Sequence, residues 1–224
     1  MSVIPVVTVD GYSGAGKGTI SQLLAHEFNY KYLDSGAIYR SLALYTYNSK
    51  IAVDSIELIA KAANNMKLEF KFNNGLFEVN LDGKNVKEDI RTESIGTRAS
   101  HLASHQKIRS AVLEIQKSFR QKPGLVADGR DMGTVVFPDA KVKFFLTASP
   151  EARAKRRQKQ LKEQGISASL HDLSAELANR DERDLHRKIS PMIPAETAIT
   201  IDTTAMSIDE VFAATADVVK RSLI

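Results

Sequence analysis

Residues 11–19 read Gly-Tyr-Ser-Gly-Ala-Gly-Lys-Gly-Thr and contain the spacing G-x-x-x-x-G-K. Backbone N–H groups converge on phosphate oxygens only where small residues let the main chain come close. Gly11, Tyr12, Ser13, Gly14, Ala15, Gly16, Lys17, Gly18 and Thr19 therefore form a candidate triphosphate cradle. In it Lys17 supplies a point charge to the β- and γ-phosphates, and the start of the next helix adds its positive dipole end. A hydroxyl that holds Mg²⁺ usually follows the lysine directly. Here Gly18 stands there, so either Thr19 or a water-mediated contact must serve the metal.

Arginine and aspartate supply the other chemical signals. Asp128 ends an apolar run, as a carboxylate that holds a magnesium-bound water or Lys17 does; a cap for the next turn is its competing role. Arg40 falls one turn into a helix after Asp34-Ser35-Gly36, and Arg130 follows Asp128. At i, i+4 and i+7, Arg180, Asp184 and Arg187 are expected on one helix face, where an ion-pair ladder is the plain alternative. Segment 151–165 holds six Lys/Arg against two Glu, a net +4, and the whole chain is also +4. The positive charge is thus local, which suits a local anionic partner or a solvated helix face. Guanidinium forks match phosphate oxygens in pairs.

The elements that must position these residues follow from hydrophobic period. Residues 3–10 are short, apolar and β-branched, hence a buried strand; Lys17–Phe28 carries apolar residues at 20, 23, 24 and 28, hence a helix. Short strands are expected at 30–33, 124–128, 141–146 and 198–202. Helices are expected after Asp34-Ser35-Gly36 through Ile38, Leu42 and Tyr45, at 55–66 with Asp54 as cap and Glu57 closing a capping box, twice within 89–121, from Pro150, at 170–187, and from Ser207. Gly165 should break the basic helix before a flexible tip at 162–172. Residues 67–88 alternate apolar and polar about Asn-Asn-Gly and Asp-Gly turns, the signature of a small antiparallel meander. Strands alternating with helices imply an α/β fold with a parallel sheet covered on both faces, and ligands bound at its carboxyl edge.

Composition narrows the classes. In 224 residues, 43% are hydrophobic and 26% charged, as in a folded globular chain rather than a disordered one. With no Cys there is no disulfide and no thiolate metal site. No apolar run is long enough to span a membrane. The N-terminal stretch lacks a basic start and a cleavage site, so no signal peptide is expected, and a cytoplasmic location fits. No aromatic-interleaved basic surface is visible, which speaks against nucleic acid as a partner.

Beyond the glycine loop, Leu-Asp-Ser-Gly-Ala-Ile-Tyr-Arg at 33–40, the stretch from Ala127 to Ala140 beginning Ala-Asp-Gly-Arg-Asp-Met-Gly-Thr, Ile-Arg-Thr at 90–92 and Arg-Asp-Glu-Arg-Asp-Leu-His-Arg at 180–187 are similar to the bacterial cytidylate kinases. That family belongs to the nucleoside monophosphate kinases, and the resemblance runs over nearly the whole chain. It implies one P-loop kinase domain over 1–224, with a monophosphate-binding insert at 62–100 and a lid with its adjoining helix at 150–187. It implies transfer of the ATP γ-phosphate to CMP or dCMP with Mg²⁺, in a protein taken as a monomer. A UMP-preferring kinase is the near alternative, and a nucleotide-switch ATPase the distant one. The resemblance assigns Arg40 and Arg130 to the acceptor phosphate, Ser35, Ser100, Arg109, Asp131 and Arg187 to the base, and Arg180 and Asp184 to the ribose. Thr97 is a neighbouring alternative to Ser100. Asp128 and Gly129 fall in the same acceptor block, and Lys17, Arg130, Arg153 and Arg157 are the expected catalytic cations, with Arg156 a third lid arginine.

Overall fold

The computed structural model describes residues 4–73, 76–163 and 165–223. In chain order the elements are β1 (Val6–Gly11), α1 (Lys17–Glu27), β2 (Lys31–Asp34), α2 (Ser35–Asn48) and α3 (Ile56–Asn65). Then come β3 (Leu68–Asn73), β4 (Leu76–Leu81), β5 (Lys84–Asn85), α4 (Glu93–Leu102) and α5 (Gln106–Ser118). The chain continues with β6 (Leu125–Asp128), β7 (Val142–Thr147), α6 (Pro150–Glu163), α7 (Leu170–His186), β8 (Ile199–Asp202) and α8 (Ile208–Leu223). It divides into two compact units, residues 1–31 with 122–224, and Tyr32–Gln121.

The parallel sheet has the order β2-β6-β1-β7-β8. Every residue of β1 and of β6 is buried, so both read as near-continuous apolar runs, β1 closing on Asp10-Gly11 and β6 on Asp128. β1 runs parallel to β6 on one side and to β7 on the other, and β7 runs parallel to β8. Because β1 lies between β6 and β7, its carboxyl end is the point where the winding reverses, the expected ligand crevice of an open α/β sheet. In the same unit α1 packs on β6 and α8, and α8 on β7. Helix α8 opens with a full capping box: Ser207 N–H donates to Glu210, and Glu210 N–H donates to Ser207 Oγ, at 2.8 and 3.2 Å.

Helix α6 ends in a paired C-terminal motif. Gly165 N–H reaches Lys162 O and Ile166 N–H reaches Leu161 O, with Gly165 at φ +77°. Gly165 thus terminates the helix as its position suggests.

The other unit holds the meander β3-β4-β5 as a separate antiparallel sheet. Its apolar face is buried through Phe77, Val79 and Leu81. Phe77 meets Tyr32 edge-on, and Phe70 stacks on Phe119. Asp82 and Gly83, both at positive φ, make the two-residue turn between β4 and β5, where only such residues sit without strain. The expected Asn-Asn-Gly turn falls at Asn74 and Gly75, outside the described residues.

One cap differs from expectation. Ser55, not Asp54, precedes α3, and neither it nor Glu57 closes a box. Glu57 is drawn to Lys107 on α5, and Asp54 lies 3.6 Å from His101. Tertiary charge partners outcompete the local cap.

Candidate active site

The glycine loop is built by close approach. Gly11 has φ +132°, and a Cβ there would lie 2.0 Å from the Leu146 carbonyl oxygen. Tyr12 N–H donates to that oxygen, tying the loop to the end of β7. Gly16, at φ +93°, caps α1 without a side chain. The helix therefore presents unscreened N–H groups to the loop, where an anion is favoured. Lys17 Nζ donates to Tyr12 O at 2.8 Å, folding the cation back over the loop. Burial, with help from Arg130 and Arg180, lowers the Lys17 pKa to about 7, against the pull of Asp128 and Asp10. A polyphosphate arriving beside it supplies the anion that restores its charge.

Arginines surround this loop and are paired. Arg130 Nε donates to Asp184 at 2.9 Å, and Arg130 Nη1 to Gly129 O at 3.1 Å. Burial alone would raise the Asp184 carboxyl, but Arg130, Arg180 and Arg187 outweigh it and hold the pKa below the usual carboxylate range. Arg153 is 5% exposed. It donates to Ser13 O and Ala148 O, pairs with Asp181, and lies over the Tyr12 ring at 5.2 Å. Arg153 thus joins α6 to the glycine loop and to α7.

Arg156 donates to Thr203 Oγ1 at 2.9 Å and to the Thr203 carbonyl. The Thr203 hydroxyl, with a single proton, faces both Ala15 O and Thr147 O, at 3.1 and 3.0 Å. Beside the loop lies a cavity of about 340 Å³. Gly14, Gly16 and Thr19 form one wall, Arg156 and Arg157 another, and Ile20, Met206 and Val211 supply apolar surface.

The expected helix face of Arg180, Asp184 and Arg187 is corrected at its last member. Arg187 is the residue after α7: its N–H still bonds Arg183 O, but its backbone is already extended. Its side chain lies 3.7 Å from Asp131 and donates to Ser190 O. Asp184 turns to Arg130 rather than forming a simple ladder along α7.

In the unit Tyr32–Gln121, Ser35 is buried and its hydroxyl accepts from Gln116 Nε2 at 2.8 Å. Arg40 donates to Ile90 O at 2.8 Å, and a Cβ on Gly96 would lie 3.3 Å from its guanidinium. Arg109 donates to Ala103 O and lies 5.9 Å over Tyr39. On α4, Ser100 is half-buried, whereas Thr97 is exposed.

Three buried polar residues escaped the sequence reading. Asp10 accepts from Met132 N–H and Gly133 N–H at 2.9 and 2.8 Å; burial raises its pKa to about 6 although those two bonds and Lys17 pull the other way. It ends an apolar strand just as Asp128 does, and that was the available signal. Asp181 adjoins Arg180, and Gln116 sits four residues after Val112 on the apolar stripe of α5.

For a metal, no group of three His, Cys, Asp or Glu donors is assembled among the described residues. Mg²⁺ in phosphoryl-transfer enzymes takes one or two protein oxygens, substrate phosphates and waters. Asp128, at the end of β6 and within electrostatic reach of Lys17, and Thr19, on the cavity wall, are hard oxygen donors of that kind. The donor set fits Mg²⁺ carried mainly by a nucleotide.

Residues 7–221 match the family profile described as cytidylate kinase. The chain belongs to the cytidylate kinase family. It is 49% identical over 207 residues to a cytidylate kinase of Serratia proteamaculans, covering 92% of this chain and 90% of that one. It is 49% identical over 209 residues to a cytidylate kinase of Aeromonas salmonicida, covering 93% and 91%. Among solved structures, TT1252 from Thermus thermophilus aligns over 100% of both chains at 16% identity with a TM-score of 0.50, a likeness of fold. No helix among the described residues is long and apolar enough to cross a membrane.

Proposed function

We propose that this protein moves the γ-phosphoryl group of ATP to CMP or dCMP, giving ADP and CDP or dCDP. The observation that carries the proposal is the glycine loop with the buried Lys17 folded back on Tyr12 O and the buried Arg153 bonded to Ser13 O of the same loop. This is a concentration of cations suited to two polyanions that repel each other in water. Membership of the cytidylate kinase family supports the acceptor.

The acceptor phosphate is already largely ionised at neutral pH, its second pKa being about 6, so it is its own nucleophile. No general base is required, and the work of the protein is positioning and charge neutralisation. The loop from Gly11 to Thr19 holds the donor phosphates with backbone N–H groups other than that of Tyr12, which is bound to Leu146 O, and Lys17 follows the β- and γ-oxygens. The cavity beside Thr19 and Met206 accommodates the rest of the donor nucleotide. Arg130 and Arg40 hold the acceptor phosphate; Asp184 and Arg180 meet its ribose; Ser35, Ser100, Arg109, Asp131 and Arg187 read the base. Cytosine offers one amino donor beside two acceptors, an edge that such a mixed set complements. Arg153 and Arg157 neutralise charge on the transferring group. Asp128 and Thr19 would hold Mg²⁺, directly or through water, and the ion would supply electrostatic stabilisation to the phosphate oxygens. Residues 62–100 act as the acceptor-binding insert and 150–187 as the lid, in a cytoplasmic monomer that binds nucleotides rather than nucleic acid.

ADP release measured separately with CMP, dCMP, UMP and AMP tests this. Release that requires CMP or dCMP is expected. Release indifferent to acceptor supports a nucleotide switch instead, and preference for UMP a different monophosphate kinase.

A further inference from the structure

We propose that Asp10 is a positioning residue, whose carboxylate ties the strand that launches the glycine loop to the turn that carries Arg130 and Asp131. The inference rests on the phosphotransfer reading above.

Asp10 is 4% exposed and stands immediately before Gly11. Both of its oxygens are engaged, one by Met132 N–H and one by Gly133 N–H, residues more than 120 positions away in sequence. The segment they begin is stiff. Val135 and Val136 N–H both return to Asp131 O, and Phe137 N–H to Met132 O, a single π-helical turn over Met132–Val136. Whatever fixes Met132 and Gly133 therefore fixes Asp131 and its neighbour Arg130. The fit at Gly133 is tight as well, since a Cβ there would lie 2.9 Å from Thr8 Oγ1 and 3.4 Å from Asp10 Oδ2.

A buried carboxylate is costly unless fully hydrogen-bonded, and an apolar residue would stabilise the strand at least as well. What the carboxylate adds is two acceptors aimed in fixed directions. Asp10 thus sets the spacing between the donor-phosphate loop, through its own backbone, and the Arg130 guanidinium, through the turn. Asn at this position keeps the volume but has one acceptor oxygen, and its amide would face a backbone donor.

The experiment compares wild type, Asp10→Asn and Gly133→Ala in CMP-dependent ADP release, with KM for each nucleotide and amide exchange at Met132 and Gly133. Asp10→Asn is expected to lower kcat about 100-fold, the usual consequence of an ångström-scale misplacement. KM for ATP should stay within about threefold, since the loop N–H groups are untouched, while KM for CMP rises about tenfold. Exchange at Met132 and at residue 133 should quicken. Gly133→Ala, which keeps the charge, should reproduce the pattern, and the double variant should be no worse than the poorer single one. A folded Asp10→Asn protein with kcat within threefold of wild type, or with unchanged exchange, overturns the proposal. If Asp10→Asn does not fold, Gly133→Ala decides by the same thresholds. Wild type that releases ADP without needing CMP overturns the proposed function instead, and the exchange measurement still decides the role of Asp10.

Discussion

In the unit that carries the glycine loop, guanidiniums meet carboxylates: Arg130 on Asp184, Arg153 on Asp181, and Arg187 near Asp131. In the unit Tyr32–Gln121, Arg40, Arg98 and Arg109 donate to the carbonyl oxygens of Ile90, Ile51 and Ala103. Both arrangements fix a planar fork. A carboxylate also contributes a full opposite charge, so the pair can stay dry, and losing one partner strands the other. A carbonyl aims the fork by its dipole alone, and losing the arginine leaves only a neutral acceptor behind. Among these contacts, those of the loop unit set opposite charges against each other, whereas those of the second unit aim a cation with a neutral oxygen.

The sharpest way to break this contrast is Lys17→Ala. Turnover should fall by about 10⁴-fold, as for loss of a phosphate-neutralising cation, while circular dichroism stays that of a folded protein. Turnover near wild type would detach the buried cation from the chemistry. Next, Arg153→Ala strands Asp181 and should cost about 3–5 kcal/mol of unfolding free energy, against about 1 kcal/mol for Arg98→Ala. Equal losses in denaturant titration would erase the distinction between carboxylate and carbonyl partners.

Asp184→Ala should raise KM for CMP about 10- to 100-fold while leaving KM for ATP within about threefold; equal changes would remove the ribose role. The smallest effect concerns pH. The folded-state pKa of Lys17, about 7, lies below its ordinary 10.5, so folding disfavours the protonated amine. That cost is fully present below pH 7 and fades as pH rises toward 10.5. Lys17→Met should therefore stabilise the fold by roughly 1–2 kcal/mol near pH 7 and by less near pH 10, read from thermal melts in the two buffers.

The elements with strong period were legible in sequence. β1, the loop and α1 appear where apolar runs, glycines and helical spacing put them, because each is specified by its own residues. The meander was legible for the same reason, its alternation being local. What was not legible depends on distant partners. Glu57 looked like half of a capping box until Lys107 claimed it. Arg187 looked like the next residue on a helix face, but the chain leaves the helix there and Asp131 receives it. Asp10 has only the weak signal of a carboxylate closing an apolar run, and its partners Met132 and Gly133 come from the far side of the chain. Thr19, by contrast, was singled out as the displaced hydroxyl of the loop, and it lies on the wall of the adjoining cavity.

The Thr203 hydroxyl stands against Ala15, Thr147 and Arg156 at once. One oxygen thus pins the glycine loop, the tip of a central strand and the first half of α6 to a common point. The glycine loop and α6 therefore share one anchoring oxygen, so that the position of Arg156 on α6 is referred to the same point as the Ala15 carbonyl of the loop.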